Sequence, residues 1–346
     1  MDKSNLKERV NNSMKKVNTE KNHSPVLSSS KNVKVATTET ATTTKTTPNK
    51  WMASFIAVRP WSLTAGASSV LVGTALAYRF HGVFDPLTFA VVFTGAMATQ
   101  IIGNLVNSYC DLANGVDKAE SSADRTMFDL GLSRATIKKM IYGWIFVALA
   151  ALAVLISRMP LHVVVEQLLP LVLIGGVLTV TYTMAPFSLK YRGLGDLVIV
   201  ACFGPLIMQG TYIAQTHIAS SDVYLYSLPL ALIIEAILHI NNTRDIANDK
   251  RARAVTLANI LGPKLSNYFF ALLYLCAYII QYVIAMKEGS SFINLPLMLV
   301  PKIIYTLVPK FFANDWEGLD AAAGQFAFFF GGLSTIAFIY GVRTEF

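Results

Sequence analysis

Nine runs of apolar residues follow one another through the chain, and each is long enough to cross a lipid bilayer as a helix. Only 14% of the residues are charged and 53% are hydrophobic, whereas soluble domains carry about 25% charged residues. The sequence therefore predicts an all-α polytopic membrane protein with nine transmembrane helices. The predicted spans are 61–79, 88–109, 137–157, 167–185, 196–215, 223–242, 267–286, 291–308 and 321–342, and prolines make the eighth the weakest.

The first 50 residues differ from the rest, because they are rich in Ser, Thr, Asn and Lys and lack an apolar signal region. We predict a disordered, basic cytosolic tail over 1–50, followed by one membrane domain over 51–346. Ten Lys or Arg and four Asp or Glu place +6 of the net charge of +8 in this tail. The membrane domain is therefore nearly neutral, and we expect no nucleic-acid partner.

Basic residues concentrate in the loops that follow the even-numbered spans. Because Lys and Arg mark the cytosolic side, this bias predicts a cytosolic N-terminus. The tail contains one arginine, Arg9, whereas mitochondrial transit peptides are Arg-rich. We therefore expect the endoplasmic reticulum or the Golgi, with a mitochondrial membrane as the alternative.

The end of the sixth span carries a polar cluster, LHINNTRDIANDKR over 238–251. Asp245 and Asp249 would share one face of a helix, and Asn242 would join them. Two carboxylates at this spacing favour a Mg²⁺ ion, and the flanking Arg244 and Arg251 suit a phosphate group. The cluster therefore predicts a Mg²⁺ site that binds a phosphorylated ligand.

The second span ends in a matching cluster, QIIGNLVNSYCDLANGVD over 100–117. Asn104, Asn107 and Asp111 would lie on one helical face, and Asp117 follows after a turn. Acidic residues at the rim of a bilayer are costly and usually functional. Because both clusters lie on the same predicted side of the membrane, we expect them to form one joint site.

Several basic residues are placed to reach a bound anion. Lys190, in the segment 182–196 between the fourth and fifth spans, is the strongest candidate. Arg125 follows the first cluster and Arg251 ends the second. We predict that these three residues bind phosphate oxygens.

Together these segments resemble the UbiA superfamily of intramembrane aromatic prenyltransferases, and in particular its menaquinone-forming branch. The resemblance covers about residues 56–343. It is carried by RPWSLTAG (59–66), NLVNSYCDLANGVD (104–117), DRT (124–126), the segment 182–196, and EAILHINNTRDIANDKRARAVTLA (235–258). It implies a nine-helix bundle around a chamber, capped by the cytosolic loops after the second and sixth helices.

The resemblance also implies roles for the two clusters. Mg²⁺ ions would bind an isoprenyl diphosphate through Asn107, Asp111, Asp117, Asp245 and Asp249, with Asn104 and Asn242 beside the diphosphate. The first cluster departs from the family's commoner NDxxDxxxD motif, because Ser108 replaces its second-position Asp and the last Asp lies six residues after Asp111. This departure makes the metal role of Asp117 less secure than that of Asp111.

Three residues are candidates for the reaction itself. Lys190 would stabilise the departing diphosphate. Tyr182 would stabilise an allylic cation, or it would anchor a helix end at the interface. The resemblance gives Asp196 an acceptor-side role, and a helix N-cap is the alternative.

Glu235 and His239 are four residues apart within the sixth span. A glutamate in a membrane span argues for a direct function. We favour a supporting role, in which Glu235 pairs with His239 beside the Asn242 and Asp245 face.

The resemblance implies Mg²⁺-dependent transfer of a geranylgeranyl group to a naphthoquinol such as menadiol, which forms menaquinone-4. The alternatives are 4-hydroxybenzoate prenylation for ubiquinone, and a non-catalytic sensor of prenyl lipids that regulates a sterol-synthesis enzyme. A transporter is disfavoured, because transporters place such residues near the bilayer midplane. The expected partners are the two substrates and membrane lipid.

Overall fold

The computed structural model describes residues 49–113, with side chains to Cys110, and residues 132–341. Apart from its last two residues, the predicted tail over 1–50 lies outside this part of the chain. The described residues are almost entirely helical, with one isolated β-bridge between Arg192 and Val255. The helices, in chain order, are α1 (Lys50–Ala57), α2 (Leu63–His81), α3 (Pro86–Ala113), α4 (Arg134–Ser157), α5 (Leu161–Thr181), α6 (Gly195–Thr216), α7 (Ser221–Arg244), α8 (Ile246–Ala252), α9 (Leu257–Lys287), α10 (Ser291–Phe312) and α11 (Leu319–Tyr340).

Within the described ranges, nine helical segments are long and apolar enough to cross a membrane, and α1 and α2 together form the first of them. The predicted fold class is therefore confirmed, and the chain is an integral multi-pass membrane protein. The orientation of the N-terminus stays a prediction. The eighth span, α10, begins with a 3₁₀ segment, Ser291–Leu299, because Pro296 prevents regular α-helical hydrogen bonding there.

Helix α7 is the central helix of the bundle. It packs along α9, α11 and α6. In the most apolar stretch of α7, 67% of the residues are buried, compared with 6% in the corresponding stretch of α4. The core around it contains large aromatic side chains such as Tyr226, Phe270 and Phe311. In α4, Tyr142 and Phe146 are exposed instead, as expected for side chains that face lipid.

At the end of the bundle opposite the two Asp-rich clusters, an ion pair joins the start of α3 to the end of α4. Asp85 accepts hydrogen bonds from the backbone amides of Leu87 and Thr88 at the start of α3, and it pairs with Arg158 after α4. The Thr88 amide and Arg158 hold the pKa of Asp85 below its ordinary value, against the opposing effect of desolvation. The contribution of Asp85 to stability is therefore retained at neutral pH and lost as the pH falls through this lowered pKa.

Small residues allow two central helices to approach closely. A Cβ atom added to Gly331 of α11 would lie 2.5 Å from the Cβ of Ser68 in α2. The neighbouring Gly332 has no atom within 4 Å of such a Cβ. Close approach through glycine is typical of membrane helix pairs, and here it fixes α11 against α2.

We predict that Gly331→Ala destabilises the protein by about 1–3 kcal/mol, because the new methyl group must push α2 and α11 apart. Gly332→Ala is the matched control, and it should leave stability unchanged or slightly higher, since Ala favours helix. Thermal unfolding in detergent measures both variants. Equal unfolding temperatures for the two variants would contradict the close packing of α2 and α11.

Candidate active site

A cavity of about 1500 Å³ lies inside the bundle, and α3, α4, α5, α6, α7, α8 and α11 contribute to its walls. Its lining has two regions. The ends of α3 and α7 contribute amides and carboxylates, whereas side chains such as Val91, Leu152 and Val172 make the other region apolar. Val91 and Asn107 both line the cavity and lie about 24 Å apart along α3. The cavity can therefore bind a molecule with a polar head and a long apolar tail.

The polar cluster at the end of α7 is not on one continuous helix. α7 ends at Arg244, Asp245 has non-helical φ and ψ angles of −94° and 7°, and α8 begins at Ile246. Asp249 lies on α8, and its amide donates to the carbonyl of Asp245 at 2.9 Å. Both carboxylate residues nevertheless line the cavity, together with Asn242. The irregularity is limited to Asp245: it divides the helix into α7 and α8 but keeps the i, i+4 relation of Asp245 and Asp249 that the sequence predicts.

Asp245 is held by its neighbour in the chain. The Arg244 guanidinium donates to both carboxylate oxygens of Asp245, at 3.0 and 2.9 Å, and lies 3.8 Å from Asp320 at the start of α11. Such a two-point contact fixes the plane of the carboxylate. Asp249 is positioned in a similar way, because the Asn259 amide donates to it at 3.4 Å. Both acidic residues therefore have defined orientations at the cavity wall.

Lys190 connects the loop before α6 to the end of α3. Its ammonium group donates to Oδ1 of Asn107 at 3.2 Å, and both residues line the cavity. The loop itself is closed by a hydrogen bond from the Lys190 amide to the Tyr182 carbonyl at 2.8 Å. The predicted phosphate-binding lysine and the predicted metal ligand Asn107 are thus in direct contact.

Tyr182 lines the cavity where α5 ends. Gly195, at the start of α6, approaches this residue closely: an added Cβ would lie 3.6 Å from the Tyr182 hydroxyl and 3.4 Å from Lys190 Cα. These are ordinary van der Waals distances, so α6 begins in contact with the loop that carries Tyr182 and Lys190.

Asn104 has two hydrogen bonds that explain its position. Its side-chain amide donates to the Val58 carbonyl at 3.1 Å and to the Ser62 hydroxyl at 2.9 Å, which ties α3 to the turn between α1 and α2. In the same turn, Arg59 donates to Ser108 at 3.1 Å. Asn104 and Arg59 both line the cavity. Ser108, which departs from the commoner motif, thus binds an arginine that faces the site.

Two predicted residues lie elsewhere. Asp196 is buried but does not line the cavity; it lies beside Glu235 and His239. Arg251 is exposed on α8, and its guanidinium donates to Asn248, which does line the cavity. Asp117 and Arg125 are outside the described residues, as is the side chain of Asp111, so their predicted roles stay predictions.

Other polar residues complete the polar end of the cavity and were not predicted from the sequence. Asp320 is the clearest case, because it comes from α11, far along the chain, and nothing in its local sequence marks it. Asn241 and Asn248 belong to the predicted polar cluster over 238–251, and the structure shows that both line the cavity. The added residues are Arg59, Gln100, Asn241, Asn248, Asp320 and Gln325.

The donors at this end of the cavity fit the predicted Mg²⁺ ion. Asn107, Asn242, Asp245 and Asp249 offer carboxylate and amide oxygens, and Mg²⁺ binds oxygen ligands in preference to nitrogen or sulfur. The adjacent cations, Lys190 and Arg244, suit a ligand that carries more negative charge than the metal neutralises.

Residues 67–333 match the UbiA prenyltransferase family. The chain belongs to the UbiA prenyltransferase family. The predicted resemblance is thereby confirmed, and the family consists of prenyltransferases, so the chain is assigned to an enzyme class that transfers prenyl groups. The match includes α3, α7 and α8, which carry the polar end of the cavity.

Relatives and solved structures agree with this membership. The UbiA-family chain is 45% identical to UbiA prenyltransferase domain-containing protein 1 of Dictyostelium discoideum, over 85% of this chain and 89% of the relative. It is 32% identical to the human protein of the same name, over 83% and 82%. A UbiA homologue from Aeropyrum pernix has the same fold, with a TM-score of 0.60 at 16% identity, over 80% of this chain and 96% of the other. A homologue from Archaeoglobus fulgidus, bound to GPP and Mg²⁺, gives a TM-score of 0.54 at 13% identity, over 82% and 99%.

We predict that Asp249→Asn weakens Mg²⁺-dependent binding of a non-reactive isoprenyl diphosphate analogue at least tenfold, because the metal loses a charged ligand. Asp222→Asn is the control: Asp222 is an exposed aspartate at the other end of α7, paired with Lys287. Calorimetry in detergent measures both affinities. An equal effect of the two substitutions would show that Asp249 does not contribute to metal binding.

Proposed function

We propose that this UbiA-family chain transfers a geranylgeranyl group from geranylgeranyl diphosphate to a naphthoquinol such as menadiol, with Mg²⁺ as cofactor, forming menaquinone-4. The observation that carries this proposal is the cavity, in which an acidic and amide-rich end continues into a long apolar region. A diphosphate fits the first region and a polyprenyl chain fits the second. The named relatives and the Mg²⁺- and GPP-bound homologue support the same assignment.

The polar residues have different roles in binding the diphosphate leaving group. Asn107, Asp245 and Asp249 would hold Mg²⁺, which neutralises charge on the diphosphate. Lys190, oriented by Asn107, adds a positive charge as the carbon–oxygen bond breaks and the diphosphate departs. We propose that Arg244 keeps Asp245 in the orientation that metal binding requires. Asp111, Asp117 and Arg125 would contribute from the same side.

The remaining steps concern the prenyl carbon. The electrons of the aromatic ring of Tyr182 stabilise the allylic cation that forms when the diphosphate leaves. The electron-rich carbon of the quinol attacks this cation, and the ring then releases a proton. Water must be kept away from the cation, which it would otherwise capture. The prenyl chain would lie against the apolar walls near Leu152 and Val172.

The cations that line the cavity suit the diphosphate. Among the described lining residues, Arg59 contacts Ser108, Lys190 contacts Asn107, and Arg244 contacts Asp245 and Asp320. Ser108 and Asn107 are neutral, so Arg59 and Lys190 keep their positive charge. We propose a naphthoquinol as the acceptor, because the NNTRD form of the second cluster, within 238–251, resembles the menaquinone-forming branch. We place the protein in the membrane of the endoplasmic reticulum or the Golgi.

The decisive assay combines purified protein with geranylgeranyl diphosphate and either menadiol or 4-hydroxybenzoate, with and without Mg²⁺. We expect menaquinone-4 with menadiol, no product after chelation by EDTA, and restored product when Mg²⁺ is returned. Asp245→Asn should lower the rate at least about 100-fold, whereas deletion of residues 1–45 should leave it unchanged.

Three other results would contradict the proposal in different ways. Product with 4-hydroxybenzoate and none with menadiol would show that the protein forms a ubiquinone precursor instead. Tight binding of geranylgeranyl diphosphate without product from any quinol would show that the protein senses prenyl lipids without catalysis. Such a sensor could regulate a sterol-synthesis enzyme. Activity that persists without a divalent cation would remove Mg²⁺ from the reaction.

The apolar region should set the length of the prenyl chain. Gly176 lines the cavity and has no atom within 4 Å of an added Cβ, so a phenylalanine there would project into the space for the chain. We predict that Gly176→Phe raises turnover with geranyl diphosphate relative to geranylgeranyl diphosphate by about tenfold. Gly143→Phe, at a position that does not line the cavity, is the control. An unchanged ratio of turnover with the two diphosphates would show that the prenyl chain does not bind beside Gly176.

A further inference from the structure

A second group of ionisable side chains lies inside the bundle, apart from the cavity. Asp196, near the start of α6, meets Glu235 and His239 of α7, and one ligand atom of each lies within 4.8 Å of the others. All three side chains are at least nine-tenths buried. Neighbouring residues of α7, such as Ile234 and Leu238, line the cavity, whereas these three do not. The group is therefore separate from the Asp-rich clusters.

The carboxylates of this group are not satisfied by the protein. Both oxygens of Asp196 and both oxygens of Glu235 are buried and accept no hydrogen bond from an N–H or O–H group of the described residues; the two carboxyl groups can hydrogen-bond to each other when one of them is protonated. Two buried carboxylates without a compensating cation would cost several kcal/mol each, even allowing for relaxation. A bound positive charge between them is the simplest way to remove this cost.

The tautomer of His239 points to the nature of that charge. Its Nε2 lies 3.2 Å from the Ser266 carbonyl, which can only accept, so Nε2 carries the proton. Nδ1 of a neutral imidazole then directs a lone pair toward the carboxylates. A histidine that donates one ring N–H to a carbonyl and offers the other nitrogen is the usual arrangement at a metal ion.

The distance between His239 and Asp196 suits a metal ion better than a direct hydrogen bond. Nδ1 of His239 and Oδ1 of Asp196 are 3.8 Å apart, which is too long for a hydrogen bond. Two ligands that each lie about 2.0–2.2 Å from one metal ion are about 3–4 Å apart. A single proton bridges only one pair of atoms, whereas a divalent cation contacts all three side chains and cancels both negative charges.

We propose that Asp196, Glu235 and His239 bind a divalent transition-metal ion of the zinc class. One imidazole nitrogen with two carboxylate oxygens is a donor set that zinc accepts and that differs from the all-oxygen set at the Mg²⁺ site. The rings of Phe269 and Phe311 pack 4.8 and 6.0 Å from the imidazole and enclose the site on its far side. The ion would join α6 to α7 and fix the end of α7, where Asp245 lies.

The test measures zinc content rather than activity. The purified full-length chain is dialysed against Zn²⁺ with excess Mg²⁺, and bound zinc is determined by mass spectrometry and titration. We expect about one tightly bound zinc per chain. Glu235→Gln, which keeps the shape and removes the charge, should weaken binding at least 100-fold, whereas Asp245→Asn should change it less than twofold.

X-ray absorption of the zinc-loaded wild-type protein identifies the ligands directly, and His239→Gln then tests which residue supplies the imidazole. We expect one imidazole and only nitrogen or oxygen ligands, and loss of the imidazole signal in His239→Gln. Absence of tight zinc in the wild-type protein would overturn the proposal and assign the charge to protons. Zinc that is lost in Asp245→Asn but retained in Glu235→Gln would also overturn it, because the ion would then belong to the Asp-rich clusters.

Discussion

The contact between Arg244 and Asp245, at the point where α7 ends, is the interaction on which the site depends. α7 is the central helix of the bundle, and its last turn delivers a carboxylate to the cavity wall. The Arg244 guanidinium fixes this carboxylate through two hydrogen bonds and also faces Asp320 of α11. Asp249 of α8 lines the same cavity, and its amide donates to the Asp245 carbonyl.

The position of the polar groups follows from the cost of burying charge in a membrane protein. Each described cation that lines the cavity contacts an amide, a hydroxyl or a carboxylate, so the site is oriented before any substrate binds. Asp196 and Glu235 are among the buried side chains whose oxygens accept no hydrogen bond from an N–H or O–H group in the described part of the chain. On α7, His239 lies about one turn before Asn242, which lines the cavity, so the buried group and the polar end of the cavity are neighbours on the same helix.

Much of this could be predicted from the sequence. Hydropathy predicts nine spans, because apolar length determines which segments cross a bilayer, and the repeated Asn and Asp residues at two span ends predict the polar end of the cavity. The break at Asp245 was not predictable, since IANDKRA also suits a continuing helix. Asp320 and the pairing of Asp196 with Glu235 depend on helices that are distant in sequence. Periodicity describes one helix at a time and contains no information on such contacts.

The central claim is that α3 and α7 contribute to one diphosphate site, and a double-mutant cycle tests it most directly. Asn107→Ala, Asp245→Ala and the double variant are compared for Mg²⁺-dependent binding of a non-reactive geranylgeranyl diphosphate analogue. If both residues act on the same metal and diphosphate, the two losses should be coupled by at least about 1 kcal/mol. Losses that add to within about 0.3 kcal/mol would show independent positions and contradict the account.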